Sequence, residues 1–509
     1  MAALTTDKII AVIGAGTMGA GIAQVAATAG HQVLLYDVQE GAAENGIAGC
    51  DKGLTRLVER GKISEQTRRN IIGRMQPCSQ IEQLAPAALV IEAIVERLDI
   101  KQSLFLQLED LCAEDCILAT NTSSLSITAI GSALKRPERL VGMHFFNPAP
   151  IMKLVEVISG MATDKSVAET VYQTAASWSK KPVHARSTPG FIVNRVARPF
   201  YAEALRIYQE GGADCATVDA IIKTCGGFRM GPFELMDLIG QDVNYAVTCS
   251  VYEAYYYDKR FLPSLVQKEL VDGGYLGRKT GRGFYPYGDA AEQPVPQTAT
   301  ESACPSVVVS ASGNRGLLAA LLERSEQSGI PIEPLEAVAQ VSHIEVDGTR
   351  LMLTTGKTAT SAAAEMDIND LVLIDLAADY LTCERVAIAK ADQCSQQAAD
   401  KVIGWLQAMG VAVSQIDDVP GMVLMRTAAM LANEAADAVN QQVCSAGDVD
   451  LAMEGGVNYP RGPLAWADEL GLDTIIQVLE NLVLTYGEER YRVSPLLRRL
   501  NASNSSFIS

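Results

Sequence analysis

The hydrophobic pattern opens with an unbroken apolar run, IIAVI (residues 9 to 13), followed by a glycine turn, an Ala-rich stretch and a second apolar run, VLLYD, that ends on Asp37. A short apolar run, a turn, a helical stretch and another apolar run predict a β-α-β unit. The basic, polar stretch from Cys50 to Met75 predicts helix, ALVIEAI (88 to 94) strand, residues 99 to 112 helix, and CILATNTSS (116 to 124) a strand with its turn. Strands and helices alternate to about Val157, and residues 166 to 180 again read as helix, so the first domain is expected to be α/β with a largely parallel sheet. After the turn at Ser187, Thr188, Pro189 and Gly190 the period becomes helical as far as GRGFYPYG (281 to 288). The next seventeen residues, DAAEQPVPQTATESACP (289 to 305), have no period and read as a flexible linker. Further on, LVLIDL and ERVAIAKA return to the strand pattern.

Gly14, Gly16 and Gly19 have the spacing GxGxxG directly after the first strand and at the start of the helix, with Thr17 and Met18 inside the same loop. Such a loop brings backbone close to a pyrophosphate and aims helix N-terminal N–H groups at it. Asp37 closes the second strand 23 residues after Gly14, where an acid accepts from ribose hydroxyls and repels a 2′-phosphate. NAD is therefore the expected cofactor, in preference to NADP.

Residues 189 to 240 and 420 to 471 match without a gap at a constant offset of 231, through Pro189/Pro420, Gly190/Gly421, Arg195/Arg426, Glu203/Glu434, Asp219/Asp450, Gly231/Gly462, Pro232/Pro463, Asp237/Asp468 and Gly240/Gly471. The helical domain is expected to be duplicated. At offset 297, Ala311, Gly313 and Gly316 fall where Gly14, Gly16 and Gly19 stand, a decayed fingerprint. The expected organisation is a Rossmann-type NAD domain (1–186), a helical substrate or dimerisation domain (187–288), the linker (289–305), a reduced Rossmann-like domain (306–417) and a second, degenerate helical domain (418–509).

Sixty acidic against 42 basic residues give a net charge of −18, which argues against nucleic acid and anionic membrane as partners. No apolar run approaches the ~20 residues of a membrane span, and MAALTTDK lacks the basic and apolar regions of a secretion signal, so a cytoplasmic protein is expected. Eleven cysteines without a CxxC pair read as reduced, mostly buried thiols, with no disulfide framework and no metal site.

Only four histidines occur, and His144 lies in the apolar segment VGMHFFNPAPIMKLVEVI, twelve residues before Glu156. A buried imidazole beside a carboxylate is how a general base is tuned and its tautomer fixed. Ser123, after a strand end, and Asn194, after a Pro-Gly turn, favour a functional over a packing reading of that histidine.

NTSS (121 to 124), HFFNP (144 to 148), MKLVEV (152 to 157), TPGFIVNR (188 to 195) and MGPFELMDLIG (230 to 240) resemble, in order and spacing, the motifs of the 3-hydroxyacyl-CoA dehydrogenases. Within that family the chain looks most like the long bacterial 3-hydroxybutyryl-CoA and 3-hydroxyadipyl-CoA dehydrogenases of phenylacetate breakdown. The resemblance implies NAD-dependent oxidation of the C3 hydroxyl of a (3S)-3-hydroxyacyl-CoA, with His144 as base, Glu156 orienting it, and Ser123 and Asn194 holding the reacting oxygens. It also places Glu96, Lys101, Asn121 and Lys279 around NAD, and it implies that the two helical domains pack as a pseudo-dimer within one chain, a homo-oligomer being left open. For the CoA phosphates, residues 50 to 75 offer an island of local charge +4, with Lys52, Arg56, Arg60 and Lys62 as the candidate contacts. Two other readings stay open: a dehydrogenase of a free hydroxy acid, as in crystallin-like relatives, and a nicotinamide-binding sensor without turnover.

Overall fold

The computed structural model describes residues 2–288, 291–304, 309–312, 316–334 and 343–508. These form two units, one of residues 1–195 with 441–457, the other of residues 196–440 with 458–509.

The first unit holds eight strands: β1 (Ile10–Ile13), β2 (Val33–Tyr36), β3 (Met75–Cys78), β4 (Leu89–Glu92), β5 (Ile117–Thr120), β6 (Leu140–Phe145), β7 (Leu154–Ser159) and β8 (Lys181–Arg186). Their order across the sheet is β3-β2-β1-β4-β5-β6-β7-β8. Strands β1 to β6 run parallel and β7 reverses against β6; the order β3-β2-β1-β4-β5-β6 switches direction between β1 and β4, where ligands of such sheets collect. The sheet is covered by α1 (Thr17–Thr28), α2 (Ala42–Glu59), α3 (Glu65–Ile72), α4 (Leu98–Leu111), α5 (Ile127–Gly131) and α6 (Lys165–Ser177), and α7 (Val193–Val196) closes the unit. The helix pattern read over Cys50–Met75 resolves into the end of α2 and the whole of α3. Strands β1 and β4 are buried along their whole length, as continuous apolar runs in a parallel sheet require.

A piece of the far C-terminal region completes this unit. Helix Ala446–Val457 lies on β7 and β8, and the Val443 carbonyl accepts from the Arg186 N–H at 2.8 Å. Gly456 makes the fit: a Cβ there would stand 2.6 Å from Leu154 Cδ2.

The second unit carries α8 (Arg198–Gln209), α9 (Cys215–Thr224), α10 (Pro232–Ile239), α11 (Gln241–Ala254) and α12 (Leu265–Asp272), then a second sheet. Its strands are β9 (Val309–Ser312), β10 (Ile332–Pro334), β11 (His343–Val346), β12 (Thr349–Leu353), β13 (Leu371–Ile374), β14 (Arg385–Lys390) and β15 (Ala412–Gln415), in the order β10-β9-β11-β12-β13-β14-β15. This sheet is mixed: β11 is antiparallel to both β9 and β12, and β13 to β14. LVLIDL and ERVAIAKA supply β13 and β14. Gly313 of the decayed fingerprint lies outside the described residues.

Helix α8 packs against helix Leu424–Asn440, and a buried charge network joins the two. Glu203 accepts from Arg426 Nε at 2.7 Å and from Arg490 Nε at 2.9 Å. Burial alone would raise the Glu203 carboxyl; the two guanidiniums outweigh it and hold it down at about 2. Arg260 answers from the other side, bonded to Glu434 at 3.1 Å and to Asp437.

The segment expected to be a flexible linker differs from that reading. Residues 291–304 have no helix or strand, yet Ala299 N–H donates to the Val413 carbonyl at 2.8 Å, Gln297 N–H to Thr217 Oγ1 at 2.8 Å, and Ser302 N–H to Gln407 Oε1 at 2.9 Å. Main-chain groups that composition ignores fasten it along β15.

Candidate active site

At the switch between β1 and β4 the fingerprint glycines differ in what they do. Gly14 has φ +96°, and a Cβ there would sit 2.4 Å from the Ala93 carbonyl oxygen. A Cβ on Gly19 would meet the Gly14 oxygen at 1.7 Å, so α1 and the loop approach as closely as they do only because both positions are glycine. Around Gly16, by contrast, nothing stands within 4 Å of a Cβ, which leaves the N-terminal N–H groups of α1 open to a ligand. A cleft of about 640 Å³ opens there, lined by Gly16, Thr17, Asp37, Asn45, Pro148 and Ala149 among others. Asp37 is fixed at its edge: Oδ2 accepts from Ala15 N–H at 2.7 Å and Oδ1 from Gln39 N–H at 2.9 Å. Met18 turns the other way and packs on the core. The open N–H row, the cleft and the acid at the end of β2 fit a dinucleotide with a free ribose 2′-hydroxyl.

The ends of β4 and β5 carry a second cluster. Glu96 Oε1 accepts from the N–H groups of Ser123 and Ser124, both at 3.1 Å, and from the Thr122 hydroxyl. Burial raises this carboxyl, but Thr122, Lys101 and Ser124 outweigh it, and the group stands below its ordinary value. Glu96 thus shapes the NTSS turn and stays ionised. Lys101 departs from its sequence reading as a cofactor contact: it is buried, with Nζ 2.6 Å from Glu92 Oε1 and 3.3 Å from Glu96 Oε2. Glu92, missed in the sequence, is fully buried and also accepts from the Thr120 hydroxyl at 2.7 Å. Its signal was a lone acid inside the apolar strand LVIEAI. Asn121 Oδ1 accepts from Phe145 N–H at 2.8 Å, tying the end of β5 to the residue after His144.

The antiparallel register of β6 and β7 places His144 opposite Glu156. Imidazole Nδ1 and Glu156 Oε2 are 2.7 Å apart, both side chains buried. A carboxylate can only accept, so Nδ1 carries the hydrogen and Nε2 is left with its lone pair. Glu156 Oε1 accepts from the N–H groups of Ile192 and Val193, each at 3.0 Å. The carboxylate is therefore pinned by the residue before α7 and the first residue of α7, and it in turn pins the imidazole. Phe146 and Phe191 flank the ring at 4.5 and 5.9 Å between centroids. Asn194 follows on α7, and among the described residues neither its amide nor the Ser123 hydroxyl has a hydrogen-bond partner, so both remain available to a substrate.

Lys52, Arg56 and Arg60 stand four residues apart along α2 and its C-terminal end, all exposed, with Lys62 just beyond. None of the four has an ion-pair partner among the described residues, whereas Arg68 and Arg69 are spent on Asp51 and Glu65. Lys279, in the second unit, is exposed and paired with Asp242. Among the described residues no group of acids, cysteines and histidines could hold a metal ion, and no helix is long and apolar enough to cross a membrane.

Residues 9–188 match the family model of the 3-hydroxyacyl-CoA dehydrogenase NAD binding domain, and residues 190–287 and 421–506 match that of the same family's C-terminal domain. Residues 351–420 match a 3-hydroxybutyryl-CoA dehydrogenase reduced Rossmann-fold domain. The chain is 47% identical over 502 residues, 99% of each chain, to a 3-hydroxyadipyl-CoA dehydrogenase of Escherichia coli. It is 45% identical over 278 residues to a 3-hydroxybutyryl-CoA dehydrogenase of Clostridioides difficile, which spans 55% of this chain and 99% of that one. A crystal structure of a 3-hydroxybutyryl-CoA dehydrogenase from E. coli superposes with a TM-score of 0.89 at 46% identity, covering 98% of this chain and 99% of that one.

Proposed function

The chain belongs to the 3-hydroxyacyl-CoA dehydrogenase family, and from that premise we propose how its residues divide the oxidation of the C3 hydroxyl of a (3S)-3-hydroxyacyl-CoA. It is an NAD-dependent 3-hydroxyacyl-CoA dehydrogenase. Gly14, Gly16, Thr17 and Asp37 would hold NAD, which when bound would accept the hydride from C3.

His144 Nε2 takes the hydroxyl proton, and Glu156 stabilises the imidazolium that results while fixing the ring's tautomer. The Ser123 hydroxyl and the Asn194 amide hold the C3 oxygen and the thioester oxygen. Glu96 orients Ser123 through its backbone N–H. Lys101 acts at one remove, through Glu96, and Asn121 by fixing the strand end beside His144. The row Lys52, Arg56, Arg60 and Lys62 receives the CoA phosphates. The observation that carries the reading is the buried Nδ1–Oε2 pair, a base already oriented and unshared on its second nitrogen.

We further read the substrate as a short or dicarboxylic acyl thioester, 3-hydroxybutyryl-CoA or 3-hydroxyadipyl-CoA, of the kind formed in phenylacetate breakdown. We read the enzyme as cytoplasmic. The boundaries 1–186, 187–288, 289–305, 306–417 and 418–509 serve as its domains, the two helical copies forming a pseudo-dimer supported by the Glu203–Arg426–Arg490 network. Following reduced cofactor by absorbance tests the whole reading: turnover is expected with NAD and either thioester, and none with free 3-hydroxybutyrate. Equal turnover of the free acid would favour a hydroxy acid dehydrogenase, and no turnover of any substrate would favour a sensor.

A further inference from the structure

The backbone that anchors the Glu156 carboxylate is itself held from two directions. On one side Glu156 Oε1 takes the Ile192 and Val193 N–H groups, each at 3.0 Å. On the other stands a piece of chain from far along the sequence. Residues 441–457 belong to the same unit as residues 1–195, although they lie inside the second stretch, 421–506, that matches the family's C-terminal domain. Helix α7 covers only Val193–Val196, and one turn of helix has almost no stability of its own, so its place is set by what packs on it.

Two residues of the distant segment do that packing. Gly456 is buried, and a Cβ there would stand 3.1 Å from Val193 Cγ2 as well as 2.6 Å from Leu154 Cδ2. Leu154 lies on β7 two residues before Glu156, and Val193 is one of the two backbone donors to it. The missing side chain at Gly456 therefore lets helix Ala446–Val457 press on both parts that fix the carboxylate. At the other end of the segment, Gln441 Oε1 accepts from Nη1 of the buried Arg195 at 2.9 Å. Cys444, between them, feels the catalytic charge: burial first, then Asp448 and Glu156, push its thiol up to about 12. Asn194 is thus bracketed, since its chain neighbours Val193 and Arg195 are each held by a residue of the distant segment.

We propose that Gly456 and Gln441 are positioning residues for the dehydrogenase reaction: the C-terminal segment sets where α7 lies, and through it how Glu156 aims His144 and where Asn194 stands. The inference rests on the dehydrogenase reading above. It gives the far C-terminal region a part in the chemistry of a site to which it contributes no reacting group.

The test uses the full-length chain with NAD and 3-hydroxybutyryl-CoA. In Gly456→Ala, kcat should fall about tenfold, because a sub-ångström displacement of catalytic groups is enough for that, while KM for NAD stays put. Melting temperature should be nearly unchanged, since alanine is the better helix former and the crowding at Leu154 opposes that gain. Adding Leu154→Val, which removes the crowded Cδ2, should return most of the lost kcat. Gln441→Ala, at an exposed position, should lower kcat about threefold, the size of one modest hydrogen bond, and serves if Gly456→Ala does not fold. Gly447→Ala, in the same helix with nothing within 4 Å of its Cβ, should change nothing. Hydrogen exchange needs no turnover: the peptide holding Ile192 and Val193 should exchange about tenfold faster in Gly456→Ala, with β1 and β4 as in wild type. Unchanged kcat and exchange in both Gly456→Ala and Gln441→Ala overturn the proposal. So does a fall in kcat matched by falls in NAD affinity and melting temperature that Leu154→Val does not relieve, as general loosening would give. A wild type that turns over no 3-hydroxyacyl-CoA would count against the dehydrogenase reading instead, and exchange would still decide whether the segment sets α7.

Discussion

The first and second sheets meet the same physical demand and solve it from opposite strands. The offset of 231 that relates the helical regions also carries β6, β7 and β8 onto β13, β14 and β15, and it takes His144 to Asp375 and Glu156 to Ala387. In the first sheet Glu156, on β7, accepts from the N–H groups of Ile192 and Val193. In the second, Asp375, at the end of β13, accepts at 3.0 and 2.7 Å from Val423 and Leu424, the residues at that offset, and at 3.0 Å from Met425. The register is preserved, since Asp375 N–H donates to the Ala387 carbonyl where His144 faces Glu156. The buried N–H groups after the Pro-Gly turn need a carboxylate in either case. Only the first sheet adds an imidazole. The anchoring of the acid is therefore a property of the fold, and the chemistry is what was placed, or kept, on the neighbouring strand.

The comparison breaks first at His144. Replacing it by Gln should lower turnover by roughly 10²- to 10⁴-fold, the range for a positioned base, with NAD affinity and melting temperature nearly unchanged, because Glu156 keeps its backbone partners. A parallel loss of NAD binding would make His144 a structural residue.

Asp375→Ala should do the reverse. It strands four buried N–H groups, those of Leu376, Val423, Leu424 and Met425, and should cost about 3 kcal/mol or more in urea unfolding, with kcat of the remaining folded protein preserved. Burial raises the Asp375 carboxyl to about 6 from the ordinary 3.8, against the pull of its backbone donors. Between those values the folded state holds a proton that the unfolded chain has released, so the contribution of Asp375 grows as pH falls through 6 and is smallest above it. Relative to Asp375→Asn, wild type should gain about 1.4 kcal/mol per pH unit on going down through that window. A flat difference would mean that the acid is ionised throughout.

Glu156→Gln combines both roles at reduced size. Turnover should fall on the order of tenfold to a hundredfold, because the carboxylate that holds the ring's tautomer is gone while an amide keeps the shape. An unchanged kcat would separate the pair. Asp37→Ala should weaken NAD by about tenfold and narrow its advantage over NADP, read from the ratio of kcat/KM values. The finest check is stoichiometry: calorimetry should count one NAD per chain, since Ala311 stands where the first fingerprint glycine would be needed. Two equivalents would undo the contrast between the sheets.

Much of the first sheet could be read from the chain because its demands are local. Apolar runs, GxGxxG and Asp37 are signals within a few tens of residues, and His144 and Glu156 fall on neighbouring strands whose register the apolar pattern sets. The burial of Lys101 was not legible: a lysine on an amphipathic helix looks solvated unless Glu92, on a strand, is known to face it. Asp375 escaped for a related reason. The acid had changed strands, so no residue-by-residue match to Glu156 survives, and only the three-dimensional register restores the correspondence. The mixed order of the second sheet likewise depends on which strands pair, and apolar runs alone do not carry direction. The burial of Arg198 was not legible either, because helical periodicity assigns a charged residue to the outer face by default.

The strap formed by residues 291–304 has a consequence outside catalysis. Strand β15 ends its sheet, and a terminal strand with free main-chain groups is a template on which another molecule can pair. Ala299 occupies Val413, and the Ser414 hydroxyl is taken up by the Gln297 carbonyl at 2.8 Å. With Pro294 and Pro296 just upstream, the covering segment is itself a poor strand and does not pass the template on. The connection between the two halves thereby guards against fibre-like self-association, and its length and proline content are under a constraint that the distance it bridges would not impose.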